Sequence, residues 1–587
     1  MTHSRLQHGF RYAEIRGLEA APAPADLVAL EMHSAVASTG TVTTSSPLLN
    51  KIQSACVWTA RSNLMSIPTD CCQRDERRGW LGDAAIGAPI NTLNHDMAAF
   101  YTAFADLMAD DQGPDGSIPN WVPIFTASYP GHGAPNWMTA FPTIIHAVWR
   151  QSGDTQIIER HWTGLMAYLD WYERRLNTTA GDFAKDPFRL DPDTGTPEST
   201  QFPGDWCPPP QKAGQWWSPT LANSSVARML GEVECGHIAP GFNTDAEYTS
   251  KPLSSAFAYL KDCKLVGEMA AAVGRAVPGQ AGQPEALAAL FNAAFFVAAR
   301  EDSGRGSSDH GAGGAPPHYG TGFQSEQVWP LWLGAVPEAA KPGVVAFLGA
   351  ALEKAGNHTD SGIVGLRYAW ETLAEVGLAD QALSQLLSTD YPSFGFAIEG
   401  SGNPEPSNSI WELFDAHLEG PSMDSRNHVM YASPTIFIHH SVVGLAPAAD
   451  PAALWIMRPR VVGVSSELTS AAATVATPRG KLSAGWTEVA AARGGWAAVT
   501  EVDVPVGMAV EVHLSLGRAD WATPGSCEAT EGGVVVWRAG GFVAGPAGID
   551  GATAVMGPGI EQSIAVAVRH GRYTFRLRCH PSMYVVG

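Results

Sequence analysis

The sequence predicts a mainly α-helical protein: an (α/α)6 barrel of six helical hairpins followed by a C-terminal antiparallel β-sandwich. Three observations carry that prediction. From about residue 47 to about 448, helical periodicity recurs about a dozen times between Gly- and Pro-rich loops, with almost no strand-like run. Near residue 450 the pattern changes to short β-type runs separated by Gly and Pro. The chain has 587 residues, 45 % hydrophobic and 16 % charged, enough apolar material for a large core and more than one domain.

The elements follow in order. Residues 8–18, HGFRYAEIRGL, alternate as a strand does. One strand cannot bury itself, so 1–30 reads as a remnant strand and linker of an upstream β-domain. A helix is predicted in 47–66, where Leu49, Ile52, Ala55, Cys56 and Ala60 recur at helical spacing. Further helices are expected at 95–109, 138–151, 155–175, 252–274, 284–299, 325–333, 342–355, 363–376, 379–388 and 431–444, which makes 31–448 the barrel domain. Two long loops interrupt it: the Pro- and Trp-rich 207–250 and the Gly/Ser-rich 303–322. The sandwich, 449–587, is read from AAATVAT, KLSAGWTEVA, GWAAVTEVDVP, MAVEVHLSL, GGVVVWRA, SIAVAVRH and RYTFRL.

The net charge of −21 repels nucleic acid and anionic lipid, so neither is an expected partner. No apolar run reaches the length a membrane span needs, and the N-terminus lacks the apolar core of a secretory signal, which suggests a cytoplasmic protein. The sequons at Asn177, Asn223 and Asn357 are then chance matches. A neutral substrate fits this charge, and some of the 19 tryptophans would supply flat faces for a sugar ring while most fill the core. The eight cysteines show neither metal-ligand spacing nor a disulfide framework, so buried free thiols and no metal or other cofactor are expected. Oligomeric state is not legible.

Two segments carry chemistry. The first is DCCQRDERRGWLGD, residues 70–83. If it is helical, Glu76, Trp80 and Asp83 share a face; Gly79 and Gly82 leave an irregular turn equally open. The second is SNSIWELFDA, residues 407–416, where a strand-like reading puts Ile410, Glu412 and Phe414 on one face. A carboxylate among Ile, Trp, Leu and Phe is costly to bury without a partner or a purpose. Two carboxyls from distant parts of a chain are what glycoside hydrolysis uses, one as proton donor and one as base or nucleophile. An apolar neighbour, Trp80, and the nearby acids Asp70 and Asp83 would raise the pKa of Glu76; Arg74, Arg77 and Arg78 would oppose that if they point inward.

PTDCCQRDERRGWLGDA at 68–84 resembles the signature of bacterial α-L-rhamnosidases, glycoside hydrolase family 78, which usually reads DCPQRDERxGWTGDA. Further matching segments are HGFRYAEIRGL at 8–18, GDW at 204–206, DYPSFGFAIEGSG at 390–402, SIWELFD at 409–415, RNHVMY at 426–431 and TPRGKLSAGW at 477–486. The resemblance covers roughly residues 8–515. It implies an (α/α)6 barrel and an inverting hydrolase that releases terminal α-L-rhamnose from glycans or glycosylated natural products. It also implies Glu76 as general acid and Glu412 as general base, with Asp70, Asp83 and His428 on the sugar and Trp80 and Trp137 as pocket walls. Arg74, Asp205, Trp206 and Trp411, in the matched segments, complete the candidate substrate-binding set. The sequence departs from the family at Cys72 (usually Pro), Leu81 (usually Thr), Thr139 (usually an acid) and Phe394 (usually Trp). It also carries an insertion at 403–407 and a longer 207–250 loop. The alternatives are another inverting glycosidase or phosphorylase on the same barrel, or an inactive sugar-binding homologue.

Overall fold

A computed structural model describes residues 14–74, 76–124, 133–188, 204–209, 249–299, 316–400, 405–414, 416, 425–448, 450–491, 495–517, 522–556 and 562–581. Among them, helices of two kinds alternate along the chain. One kind is buried on nearly every side: Leu81–Asn94, Ala140–Ser152, Lys251–Ala272, Gln324–Leu333, Ile363–Glu375 and the run from Pro434 to Val443. The other kind buries a single stripe: Pro47–Ser62, Ala98–Asp110, Gln156–Arg175, Pro284–Phe295, Lys341–Lys354 and Ala379–Leu387. The stripe is simple in Ala98–Asp110, where Tyr101, Phe104, Ala105 and Met108 are buried, and in Lys341–Lys354, where Val344, Leu348 and Leu352 are. Helices hydrophobic all round form an inner ring, and striped helices form the outer ring that shields it. Strict alternation of the two makes six outer–inner hairpins. Serine caps start two of these helices and the short helix Phe394–Glu399: Ser46 accepts from the Leu49 N–H, Ser250 from Leu253 and Ser393 from Phe396.

The strands are β1 (Thr41–Thr44), β2 (Leu64–Met65), β3 (Ile67–Pro68), β4 (Phe296–Val297), β5 (His318–Tyr319), β6 (Leu445–Pro447), β7 (Leu454–Met457), β8 (Ser470–Thr477), β9 (Gly480–Glu488), β10 (Trp496–Val504), β11 (Ala509–Ser515), β12 (Cys527–Glu531), β13 (Val534–Arg538), β14 (Gly541–Phe542), β15 (Ile549–Met556), β16 (Gln562–Val568) and β17 (Gly571–Cys579). One sheet runs β1-β8-β9-β10-β17-β12-β13-β14, and the other runs β15-β16-β11-β7-β6. Pairing is antiparallel except between β7 and β11. Alternate burial along β8 and β9 marks the face turned to the core. The sandwich is fastened to the barrel: the Trp486 indole donates to Val442 O at 2.8 Å, and Arg150 donates to Pro447 O at 3.1 Å.

Most of the expected elements are present, and the differences have local causes. Residues 14–18 carry no strand; 8–13 lie outside the described residues. The N-terminal strand is instead Thr41–Thr44, which pairs with β8, so the 31–448 segment read as barrel contributes a strand to the sandwich, as does Leu445–Pro447. An open sheet edge is satisfied by whichever segment is held beside it, and four residues of Thr and Val give no periodicity to read. The helix Leu81–Asn94 lies outside the expected helices: Gly82, Gly87 and Pro89 within it are poor helix formers. The run expected at 431–444 divides into an α-turn, Pro434–Phe437, and a π-helical turn, Ile438–Val443. Strands β7, β12 and β15 were also not read from the sequence. Residues 210–248 and 303–315 of the two long loops lie outside the described residues. No helix among those described is long and apolar enough to cross a membrane.

The expectation of free cysteines holds for Cys56, Cys71, Cys72 and Cys263, all buried, but fails at Cys207, Cys527 and Cys579; Cys235 lies outside the described residues. Cys527 and Cys579 face each other across β12 and β17 and are disulfide-bonded, and Cys207 is disulfide-bonded too. Strand register brings Cys527 and Cys579 together, and register is invisible to spacing arithmetic. By chain entropy, a bridge with 52 residues of separation stabilises the fold by about 4 kcal/mol. We expect the Cys527→Ala/Cys579→Ala variant to unfold at a clearly lower temperature by calorimetry; an unchanged midpoint would mean the bridge adds nothing.

Candidate active site

Each inner helix begins at the same end of the ring, and the segments leading into those helices bring the candidate residues together. Residues 70–80 precede Leu81–Asn94, Trp137 precedes Ala140–Ser152, and Glu412 and His428 precede the run starting at Pro434. Helix N-termini carry partial positive charge and suit a site rich in carboxylates.

The 70–80 segment is an irregular turn, and Trp80 is the N-cap residue of the helix that follows. Asp70 N–H donates to Arg78 O at 3.0 Å, Val122 N–H to Gly79 O at 3.0 Å and Leu81 N–H to Asn120 O at 2.8 Å, which pins the turn to residues 120–122. A Cβ on Gly79 would lie 2.0 Å from Val122 O, and one on Gly82 would lie 2.8 Å from the Trp137 ring. Both glycines are close-approach positions, one for a backbone and one for an aromatic wall.

Glu412 lies in a bend that pairs with no strand, so the strand reading around it is corrected. Its N–H donates to Ser425 O at 2.7 Å, and Ser425 N–H donates back to its carboxylate at 2.8 Å. Ile410, Trp411, Leu413 and Phe414 are all buried around it. His428 N–H donates to Ile410 O at 2.8 Å, and His428 also forms an isolated bridge with Cys71, which ties the two motif segments into one wall.

Asp70, Arg74, Glu76, Trp80, Asp83, Trp137, Trp206, Glu412, His428 and Met430 line a cleft of about 400 Å³. Arg74 sits between the two glutamates: its Nη2 lies 2.5 Å from Glu76 Oε2 and 4.0 Å from Glu412 Oε2. The nearest oxygens of the pair are therefore no more than about 6.5 Å apart. Trp80 Nε1 donates to Glu76 Oε1 at 2.7 Å, and Trp206 Nε1 donates to Glu412 at 3.4 Å. His428 Nε2 lies 2.8 Å from Asp83, with Nδ1 3.5 Å from Glu412.

The charges follow from these contacts. Burial pushes the Glu76 carboxyl up, but the Arg74 guanidinium and the Trp80 indole N–H outweigh it and hold the group below its ordinary value. The expectation that Trp80 would raise this pKa is corrected: the indole meets Glu76 through its N–H, not its ring face. Asp70 is pushed up to about 8, by burial first and then by Glu76 and Asp83. Burial would lower His428, yet Glu412 and Asp83 raise it to about 10, so it is a cation at neutral pH. The ligand atoms of Asp70, Cys71 and Glu76 lie within 4.8 Å of one another. A metal ion there would have to displace Arg74 and deprotonate a thiol that burial holds protonated.

Residues 37–442 match the family model for the bacterial alpha-L-rhamnosidase 6 hairpin glycosidase domain. The chain belongs to this family. An α-L-rhamnosidase of Streptomyces avermitilis is 26 % identical over 540 residues, covering 91 % of this chain and 44 % of the relative. One from Formosa agariphila is 24 % identical, covering 82 % of this chain and 45 % of the relative. Among solved structures, the α-L-rhamnosidase from Dictyoglumus thermophilum superposes with a TM-score of 0.72 at 25 % identity, covering 96 % of this chain and 53 % of that one. The Streptomyces avermitilis α-L-rhamnosidase complexed with L-rhamnose superposes with a TM-score of 0.68 at 23 % identity, covering 93 % and 42 %. The chain thus spans about half the length of these family members.

Of the residues singled out from sequence, Asp70, Arg74, Glu76, Trp80, Asp83, Trp137, Trp206, Glu412 and His428 converge on the cleft. Two do not. The Asp205 carboxylate is consumed by Ser325 Oγ at 2.5 Å, Gly362 N–H at 2.9 Å and Gly365 N–H at 2.7 Å, so it caps the start of the Ile363–Glu375 helix. Trp411 points into a separate apolar cavity with Phe394, Ile398 and Phe414. Neighbours in sequence face opposite ways, which a motif match cannot resolve. Met430, a cleft residue, was missed although RNHVMY was matched; nothing in that hexapeptide distinguishes it from Val429. Asp75 lies outside the described residues.

The raised pKa of His428 has a measurable consequence. Its stabilising charge is fully present below the unfolded value of 6.5 and is lost as pH rises through about 10. Wild-type unfolding free energy should fall over that window more steeply than that of His428→Asn. Parallel curves from denaturant titrations across the window would refute the assignment.

Proposed function

We propose that this chain is the catalytic part of an α-L-rhamnosidase that hydrolyses terminal α-L-rhamnosides with inversion, Glu76 acting as general acid and Glu412 as general base. The observation that carries the reading is the convergence of these two carboxylates across one tryptophan-lined cleft. The family and the L-rhamnose complex of the Streptomyces relative support the sugar. Trp80, Trp137 and Trp206 offer flat faces to a pyranose, and Met430 adds apolar surface suited to the methyl group of a 6-deoxy sugar. Asp70, Asp83 and cationic His428 can accept from and donate to its hydroxyls.

Inversion requires a water beside the sugar, with carboxyls about 6.5–9.5 Å apart. The nearest oxygens of the pair are no farther apart than this short limit, with Arg74 lying between the two glutamates. A sugar entering between them displaces the guanidinium from at least one. Once Glu76 loses Arg74, burial dominates, its pKa rises, and the carboxyl takes up the proton it later donates to the leaving oxygen. Glu412, held by Ser425 N–H and Trp206 Nε1, remains the acceptor for the proton of the attacking water.

On p-nitrophenyl α-L-rhamnoside, whose leaving group needs no proton, Glu76→Gln should retain much more activity than on an alkyl rhamnoside. Glu412→Gln should be impaired on both by about 10²–10⁴-fold. The reverse pattern would exchange the two roles, and no turnover by wild type on either would remove the function. The first-formed anomer, read by proton NMR, should be inverted.

Titration calorimetry of L-rhamnose in buffers of different ionisation enthalpy should show proton uptake on binding near neutral pH, absent in Glu76→Gln. Binding without uptake would mean that Glu76 is not the group protonated on complex formation.

A further inference from the structure

Trp137 stands on a turn of four residues, Pro135–Met138, too short to hold its own conformation. Both residues flanking the wall-forming part of that turn are fastened to the inner helix Lys251–Ala272. On one side Asn136 Nδ2 donates to Ser254 Oγ at 2.9 Å and to Gly204 O at 3.1 Å. On the other, Thr139 Oγ1 donates to the Asp262 carboxylate and accepts from Lys261 Nζ. Ser254 and Asp262 are separated along that helix by about 12 Å, so the turn is clamped at two distant points.

The second clamp is a buried ionic network. Lys261 and Asp262 are 3 % and 0 % exposed and lie 3.1 Å apart. Asp262 also accepts from Tyr168 at 2.6 Å, and Lys261 donates to Thr143 at 3.2 Å, one helical turn beyond Thr139. None of these groups lines the cleft. Burying an ion pair gains little stability over an apolar pair, so its use lies in fixing geometry. The geometry at stake is tight: the Trp137 ring packs against Gly82 and meets Trp206 edge-on at 6.0 Å.

We propose that Asp262, with Lys261, is a positioning residue for sugar binding, holding the Trp137 wall in register through the Thr139 hydroxyl. The kinetic readout rests on the rhamnosidase reading; the spectroscopic one does not.

The test uses Thr139→Val, which removes the hydroxyl at nearly constant volume, with Thr139→Ser as the rescue and Asp262→Asn as the charge-neutral counterpart. A wall displaced from the sugar weakens binding of ground and transition state alike. Thr139→Val should raise KM for p-nitrophenyl α-L-rhamnoside about tenfold with kcat changed less than about twofold, and Thr139→Ser should restore it. In a Trp137→Ala background, Thr139→Val should raise KM no further, because the residue it positions is gone. The indole N–H NMR signal of Trp137, identified by its loss in Trp137→Ala, should shift in Thr139→Val while that of Trp486 stays. A Thr139→Val protein with lower Tm but unchanged KM and unchanged Trp137 signal would overturn the proposal, as would multiplicative KM effects in the double variant. If wild type cleaves no rhamnoside, the function falls and the indole signal still decides the positioning role.

Discussion

Four carboxyl groups, those of Asp70, Glu76, Asp83 and Glu412, share one largely buried cleft, and two cations make this tolerable. Arg74 lies against Glu76 and reaches Glu412; His428 lies between Asp83 and Glu412. Removing either cation would leave like charges facing each other in a medium that solvates them poorly. The rest of the architecture serves this arrangement. The inner helices present their N-termini at the same end, and the turn at 70–80 is pinned through Gly79 so that Arg74 and Glu76 stay within reach of each other.

The same electrostatics set the resting state of the site. Arg74 and Trp80, as hydrogen-bond donors, hold Glu76 ionised. A general acid needs its proton only when substrate is present. In the proposed reaction, substrate that displaces the guanidinium and excludes water is the change in environment that protonates Glu76.

The walls of the cleft rest on different supports from its charges. Trp80 is tied to Glu76 by its indole and packs edge-on against Trp121 at 4.8 Å. Trp137 depends on the neighbouring inner helix through Asn136 and Thr139. The Thr139 hydroxyl bridges the buried Lys261–Asp262 pair.

Read alone, the sequence determined the architecture and which carboxylates meet in the cleft. Outer helices with one apolar stripe and strands with alternate burial declare their period directly, and the motif around Glu76 is contiguous enough to be matched residue by residue. What the tertiary structure decided is whatever depends on direction or on register. Sequence could not say that Asp205 caps a helix while its neighbour Trp206 reaches Glu412, since that depends on how one backbone turn is oriented. The pKa of Glu76 is shifted down rather than up, because Arg74 points inward against the carboxylate and Trp80 meets it through its N–H. The Cys527–Cys579 bridge and the addition of Thr41–Thr44 to the sandwich required strands far apart in the chain to be aligned first. Local pattern records which surface a segment must bury; only the assembled fold supplies the neighbour against which each side chain is finally set.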